Sequence, residues 1–337
     1  MKVAQFAISA WLCWSTGVVQ AGEAPKADAA AIRTAVQKAL TLLEKTSPQF
    51  IKRGGCNSCH NQFLPAMAQA LARERGIGVG GEIAQLPLEA TEFSAERAFE
   101  FVVTGGANGL GYAVLNAAAL KKPADQATDS FVHFLHASQE PDGRWRTTGN
   151  RPPMTYDDFF TTAMAVRTLQ LYAPESMRAD TQTRIARAAS WLREAKPVSN
   201  QERVFHLLGL AWTKANRQIV DTAVQGLLAQ QRTDGGWSQL PDMEPDAYAT
   251  GQALYALSQG GGVPANHPAY RRSVELLLGT QAKDGSWYVK TRSLPIQPYF
   301  ESGFPYGHDQ WISAAGTSWA AMALALAVEP LQVSRHR

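Results

Sequence analysis

The chain has 337 residues, 45% of them hydrophobic and 18% charged, and a formal net charge of +3. This composition supplies a real core and excludes a disordered chain. Its Lys and Arg are scattered, without the basic block or aromatic-basic interleaving of a nucleic-acid binder.

Residues 1–21 read as a secretory signal: Lys2 gives a short positive start, "VAQFAISAWLCWSTGVV" an apolar stretch, and Val19-Gln20-Ala21 a small-residue cleavage pattern. Gln5, Ser9 and Ser15 interrupt an apolar run already short for a membrane span, so an uncleaved anchor is the lesser reading. The expected product is periplasmic or secreted, and not an integral membrane protein after cleavage. Residues 22–27 form a linker, 28–330 one domain and 331–337 a tail. Cleavage removes Cys13 and leaves Cys56 and Cys59.

Those two lie in Cys56-Asn57-Ser58-Cys59-His60, the spacing of c-type haem attachment, in which two thiols add to the haem vinyls and the adjacent His binds iron. Export places the chain where such haem is attached. An oxidising compartment equally permits a Cys56–Cys59 disulfide, and Cys-x-x-Cys is also a redox motif, although neither role requires His60. Zinc needs a fourth ligand from elsewhere, with His133, His136 or His308 at hand. For haem, the distal ligand is open among Met154, Met164, His133, His136 and His308. Met67 follows His60 on the same helix and is poorly placed to reach the opposite face of the iron. Further on, "VTGGANGLGY" (103–112) has glycines but neither a preceding strand nor a βαβ unit, so it reads as a connector and not a dinucleotide loop.

Three later segments share one design, Gln-x-x-Asp-Gly-x-Trp: "QEPDGRW", "QRTDGGW" and "QAKDGSW", ending at Trp145, Trp237 and Trp287. The first Trp interval is nearly twice the second, which marks a repeat with one degenerate unit between, "RIARAASWLREAKPVSNQERVFHLLGLAWTKA". Each unit pairs an amphipathic helix with a second one rich in Ala and Leu. Six such second helices follow in order: "NQFLPAMAQALARE", "GYAVLNAAAL", "FFTTAMAVRTLQLYA", "ERVFHLLGLAWTKA", "AYATGQALYALSQ" and "SAAGTSWAAMALALA". Helices apolar all round must be enclosed, so the pattern predicts an all-α (α/α)6 toroid with six inner and six outer helices. In its turns Asp bonds backbone donors, Gly permits positive φ and Trp covers the joint between neighbours.

The turns that lead into inner helices share one end of the ring. Cys56 to His60 occupy the first; Asp157 and Asp158 precede the third inner helix; Asp246 and Tyr248 open the fifth; "GFPYGHDQW" (303–311), with Tyr306, His308, Asp309 and Trp311, precedes the sixth. Helix N-termini gathered there favour anionic groups. "PDMEPD" (241–246) reads first as a solvated acidic turn and second as a cation site.

The turn motif, with "YATGQALYAL" after it, resembles the squalene-hopene cyclase and protein prenyltransferase superfamily, whose fold is an (α/α)6 toroid. The likeness covers residues 120–327 by motif and 28–120 by helix pattern. Cyclases of that superfamily use Asp-x-Asp-Asp, whose middle Asp protonates an alkene or epoxide. The match here is "TYDD", Thr155 to Asp158, which gives Asp157 the acid's position and replaces the first Asp by Thr. The zinc site of the prenyltransferases uses a Cys, and no Cys follows residue 59. The chain is about half the length of a two-domain cyclase of this superfamily.

The expected function is an exported haem-c protein holding an apolar, isoprenoid-like ligand in the toroid cavity. Redox chemistry or electron transfer to a partner protein would occur at the rim. Cys56, Cys59 and His60 would bind the haem, and Asp157, Asp158, His308 and Asp309 would face the substrate. One alternative is a haem-free terpenoid-cyclase-like isomerase using Asp157. Another is a non-catalytic ligand- or peptide-binding module with a Cys56–Cys59 disulfide.

Overall fold

The computed structural model describes residues 28–55, 58–78, 80, 81, 83, 111–149, 151–295 and 297–329. The expected signal segment, Cys56, most of the glycine connector, the second outer helix and the C-terminal tail lie outside the described residues. Among those described the chain is helical without a named strand; two isolated bridges, Arg151 with Thr155 and Ser238 with Pro245, are the extended pairings there.

Helices of two kinds alternate. The outer ones are α1 (Ala29–Gly54), α4 (Gln126–Ser138), α6 (Arg178–Glu194), α8 (Arg217–Leu228) and α10 (Pro268–Thr280). Inner helix α2 opens with a π-helical turn, Cys59–Phe63, and continues through Leu64–Glu74. The remaining inner helices are α3 (111–119), α5 (Asp158–Tyr172), α7 (Asn200–Trp212), α9 (Ala247–Gln259) and α11 (Gln310–Leu326). Helix α8 buries one stripe, Val220, Val224 and Leu227, whereas α11 buries every residue except Trp311. A stripe fits an outer layer and all-round burial an inner one, as the apolar patterns demand.

Inner neighbours pack in chain order, α5 on α7, α7 on α9 and α9 on α11, and α11 then packs on α2 and α1. Tyr112 of α3 meets Phe160 of α5 at 5.0 Å between ring centroids. The last unit thus returns to the first. Aromatic side chains fill the interior of the inner layer: Phe160 lies 4.8 Å from Phe205, and Tyr112 lies 6.5 Å from Trp319, which meets Tyr255 at 5.3 Å. Tyr112, Phe160, Phe205 and Trp319 are all fully buried.

The repeated turn is a joint between successive outer helices, and every residue of the motif has a place in it. Asp142, Asp234 and Asp284 each accept the backbone N–H two residues on. Trp145, Trp237 and Trp287 donate their indole N–H to the carbonyls of Leu135, Leu227 and Leu277. Gln139, Gln231 and Gln281 reach across to Arg184 of α6, Ala269 of α10 and Ala35 of α1. Gly285 sits at φ +95°, and a Cβ there would lie 2.5 Å from the Lys38 carbonyl, so both conformation and close approach require glycine. The third joint, from α10 to α1, closes the ring.

Candidate functional site

At the rim where inner helices begin, Asp157 is the N-cap of α5. Its Oδ1 accepts the Phe160 N–H at 2.7 Å, which supplies one of the helix's otherwise unpaired first donors. Its Oδ2 accepts from Gln201 Nε2 of α7 at 2.8 Å. Gln201 Oε1 in turn accepts from the Tyr248 hydroxyl of α9 at 2.7 Å, and Gln252 Nε2 donates to that hydroxyl at 3.0 Å. Three inner helices therefore contribute to one buried polar chain. Its far end is open: Gln252 Oε1 is buried without a partner. Burial outweighs the two hydrogen bonds and pushes the Asp157 carboxyl up to about 6.

A parallel unit stands beside it. Asp246 caps α9 through the Ala249 N–H at 2.8 Å and accepts from Gln239 Nε2 at 2.8 Å. Gln239 Oε1 accepts from Arg292 Nε at 2.7 Å. Burial again raises the Asp246 carboxyl, while the same desolvation pulls the Arg292 guanidinium down. Between the two units lies a pocket of about 190 Å³, lined among others by Tyr156, Asp157, Gln201, Tyr248, Gln252 and Arg292. Removing the amide that donates to Oδ2, by Gln201→Leu, is expected to move the Asp157 carboxyl further above 6. The check is its carbon-13 titration.

A second cluster surrounds His60. Its ring stacks on Trp311 at 5.8 Å and 13° and meets Phe50 edge-on at 5.1 Å. Asn61 Oδ1 lies 2.5 Å from His60 Nδ1; a carbonyl only accepts, so Nδ1 carries the proton and Nε2 keeps its lone pair. Burial lowers His60 to about 4 and raises the Cys59 thiol to about 11, so the imidazole is neutral and the thiol protonated. The loop of Trp311 and the turn of His60 therefore meet, as their shared position on the ring implies.

Other candidates take different places. Asp158 accepts the Thr147 N–H and pairs with Arg144. His308 stacks on Tyr299, and Asp309 accepts from the Tyr288 hydroxyl and the Thr291 N–H, which ties the 288–291 strip to the start of α11. Of the proposed iron ligands, Met164 is buried in the core and His136 is held by Thr181 and Asp180. No group of three or more His, Cys, Asp or Glu is arranged for a metal ion among the described residues. Gln201, at the start of α7, Gln252, within α9, and Arg292, in the segment between Trp287 and α11, help build the pocket and were not singled out by the sequence.

No protein-family model matches the chain, and no curated protein matches it. Solved structures do. A type II terpene cyclase, MstE from Scytonema, was solved with its substrate geranylgeranyl dihydroxybenzoate in an Asp-to-Asn variant. It superposes with a TM-score of 0.58 at 13% identity, over 89% of this chain and 97% of that one. The same cyclase without ligand gives 0.57 at 15% identity, over 90% and 99%. A protein from Actinoplanes gives 0.54 at 14% identity, over 88% and 100%. The fold is that of a type II terpene cyclase.

The neighbours span nearly their whole length in this likeness, so the single ring corresponds to a complete chain of theirs. At this identity the likeness concerns the fold, not the chemistry. Among the described residues no helix is long and apolar enough to cross a membrane.

Proposed function

We propose that the chain is a terpenoid-cyclase-like isomerase in which Asp157 donates a proton to the double bond of an apolar, prenyl-type ligand. The observation that carries this reading is a buried carboxyl, raised to about 6, lining a pocket where three inner helices begin. With such a value the acid holds its proton below about pH 6 and still gives it up, and at pH 7 a minor fraction remains protonated. The neighbours' prenyl substrate and product support an apolar ligand. In the step, the π pair of the alkene takes the Oδ2 proton to form a C–H bond and leaves a carbocation. The Asp157 carboxylate then removes a proton from an adjacent carbon, which restores the acid and gives an isomer of unchanged mass. Gln201 holds Oδ2 in place, and Tyr248 and Gln252 orient Gln201. In this reading Asp157 alone acts on the alkene, while Asp158 and Asp309 are engaged in loop bonds and His308 lies against Tyr299.

The test is incubation of the full chain with polyprenyl alcohols and acids and with squalene, followed by mass spectrometry for isomers. Native protein is expected to form them at a rate that falls as pH rises through about 6. Asp157→Asn is expected to form none, and equal turnover by this variant would defeat the reading.

A second reading is favoured by one observation, the neutral His60 whose Nδ1 is held by Asn61. That tautomer leaves Nε2 free to bind iron, and the residues of the motif fit haem c: Cys56 and Cys59 would anchor it and His60 would bind its iron. When bound, haem c supplies one-electron transfer, which would require a redox partner and, for attachment, export to the periplasm. Expression in cells able to mature c-type cytochromes decides the matter: a haem-stained band on a denaturing gel supports this reading. A mass lower by two hydrogens, without haem, supports a Cys56–Cys59 disulfide instead.

A further inference from the structure

We infer that the rim pocket takes the anionic head of an amphiphile, held by Arg292, with the first unit of its chain beside Asp157, while the rest of the apolar chain lies outward across Tyr156, Val198 and Leu294. This rests on the rim pocket being the site; it adds a head group and a direction for the chain.

Three observations lead there. Arg292 lines the pocket with its Nε engaged by Gln239, and among the described residues its two terminal nitrogens have no hydrogen bond or ion pair. A half-buried guanidinium with two free donor groups is suited to a carboxylate, which it meets with two parallel hydrogen bonds. The carboxylates around it are engaged by other groups: Glu202 Oε2 accepts the N–H groups of Val198 and Ser199 at 2.6 and 2.7 Å, Asp157 caps α5 and accepts from Gln201, and Asp246, whose charge acts on Arg292, caps α9 and accepts from Gln239.

The second observation is size. A volume of about 190 Å³ is below the roughly 300–1,000 Å³ that encloses a drug-sized ligand, and among the inner helices Tyr112, Phe160 and Trp319 are fully buried and in contact through Tyr112. A prenyl or acyl chain therefore has to continue outside the pocket. The third is the surface it would meet there. Tyr156, Val198 and Leu294 are 56%, 67% and 83% exposed, and they are three of the five large apolar side chains that are exposed among the described residues. Tyr156 and Val198 themselves line the pocket, and Leu294 follows Arg292 by two residues on a strip fastened to the Tyr156 loop by a Ser293 hydroxyl bond to the Pro152 carbonyl at 2.7 Å. Exposed apolar residues beside a pocket that holds a guanidinium with two free donor groups match a molecule with one charged end.

Binding of dodecanoate, dodecanol and dodecyltrimethylammonium to the full chain, measured by calorimetry below their micelle concentrations, tests this. Dodecanoate is expected to bind about tenfold or more tightly than either of the others. Arg292→Gln should remove that advantage and leave dodecanol unchanged, and Leu294→Ser, a surface change, should weaken dodecanoate and dodecanol alike. Equal affinity for the three probes overturns the inference, as does dodecanoate binding unaffected by Arg292→Gln. Binding only to vesicles containing anionic lipid, with none to monomeric dodecanoate, overturns it in favour of a membrane surface. Asp157→Asn should retain dodecanoate binding, so loss of turnover in that variant and loss of affinity in Arg292→Gln separate the acid from the head-group site.

Discussion

Asp157→Asn is expected to make the protein more stable than the native chain at pH 8, by up to about 3 kcal/mol, while ending proton-dependent turnover. The carboxyl titrates near 3.8 when exposed and at about 6 in the folded chain. A carboxyl raised by folding binds its proton more tightly in the native state. Its contribution is therefore fully present below pH 3.8 and is lost as pH rises through 6, the reverse of an ion-paired aspartate. Asparagine removes the buried charge and keeps a cap, since its Oδ1 still accepts the Phe160 N–H. Its amide can donate to Gln201 if that side chain turns over. Gln201 then donates to Tyr248, and once the Gln252 amide turns over as well, the Tyr248 hydroxyl donates to Gln252 Oε1, the acceptor left without a partner in the native arrangement. Urea unfolding of both proteins between pH 4 and 8 is the measurement. The curves should meet near pH 4 and diverge upward, and a variant less stable at pH 8 would show that the carboxylate is well compensated and no acid.

Such a gain in stability on losing a functional group is the expected mark of a site that stores destabilisation. It also explains what was legible beforehand. The capping role of Asp157 follows from an Asp preceding a helix, and its place on the rim follows from counting repeats. Its raised value does not, because that comes from burial by the neighbouring helices, and neither does its bond to Gln201, which lies 44 positions away in a unit whose turn motif has decayed. A Gln near the start of a helix looks like any exposed polar residue until the neighbouring helices bury it.

The "FPYGHDQW" loop misled in the opposite sense. It concentrates residues associated with catalysis, yet Asp309 serves backbone geometry and Tyr306 bonds Ser286 of the closing turn. The Trp in the same loop, Trp311, is the one that reaches the His60 cluster. The turn motif, in contrast, was readable nearly atom by atom, because its Asp, Gly and Trp act through local backbone. The partner of its Gln and the close approach at its Gly, both on the next outer helix, required the three-dimensional arrangement.

That partner gives the last joint a distinct weight. Trp287→Ala is expected to cost about 3–5 kcal/mol, the range for deleting a large buried aromatic side chain. The indole is 2% exposed, donates to the Leu277 carbonyl at 2.9 Å, and its backbone N–H is held by Thr317 of α11 at 3.1 Å. Trp145→Ala should be of comparable size at its own joint, since Trp145 is equally enclosed and donates to Leu135 at 2.8 Å. The two differ in what they connect. The Trp145 joint links α4 to α6, which are close in sequence, whereas the Trp287 joint carries the Gln281 bond to Ala35, across 246 positions. Losing the first loosens one unit; losing the second loosens α1 from α10 and weakens the closure of the ring, which then rests on the packing of α11 on α1 and α2. Hydrogen exchange distinguishes these outcomes. In Trp287→Ala protection should fall first in α1 and α10, at opposite ends of the chain, and in Trp145→Ala in α4 and α6. Equal and uniform loss in both variants would mean that the ring unfolds as one unit whichever joint is weakened, and that closure adds nothing beyond the local contact.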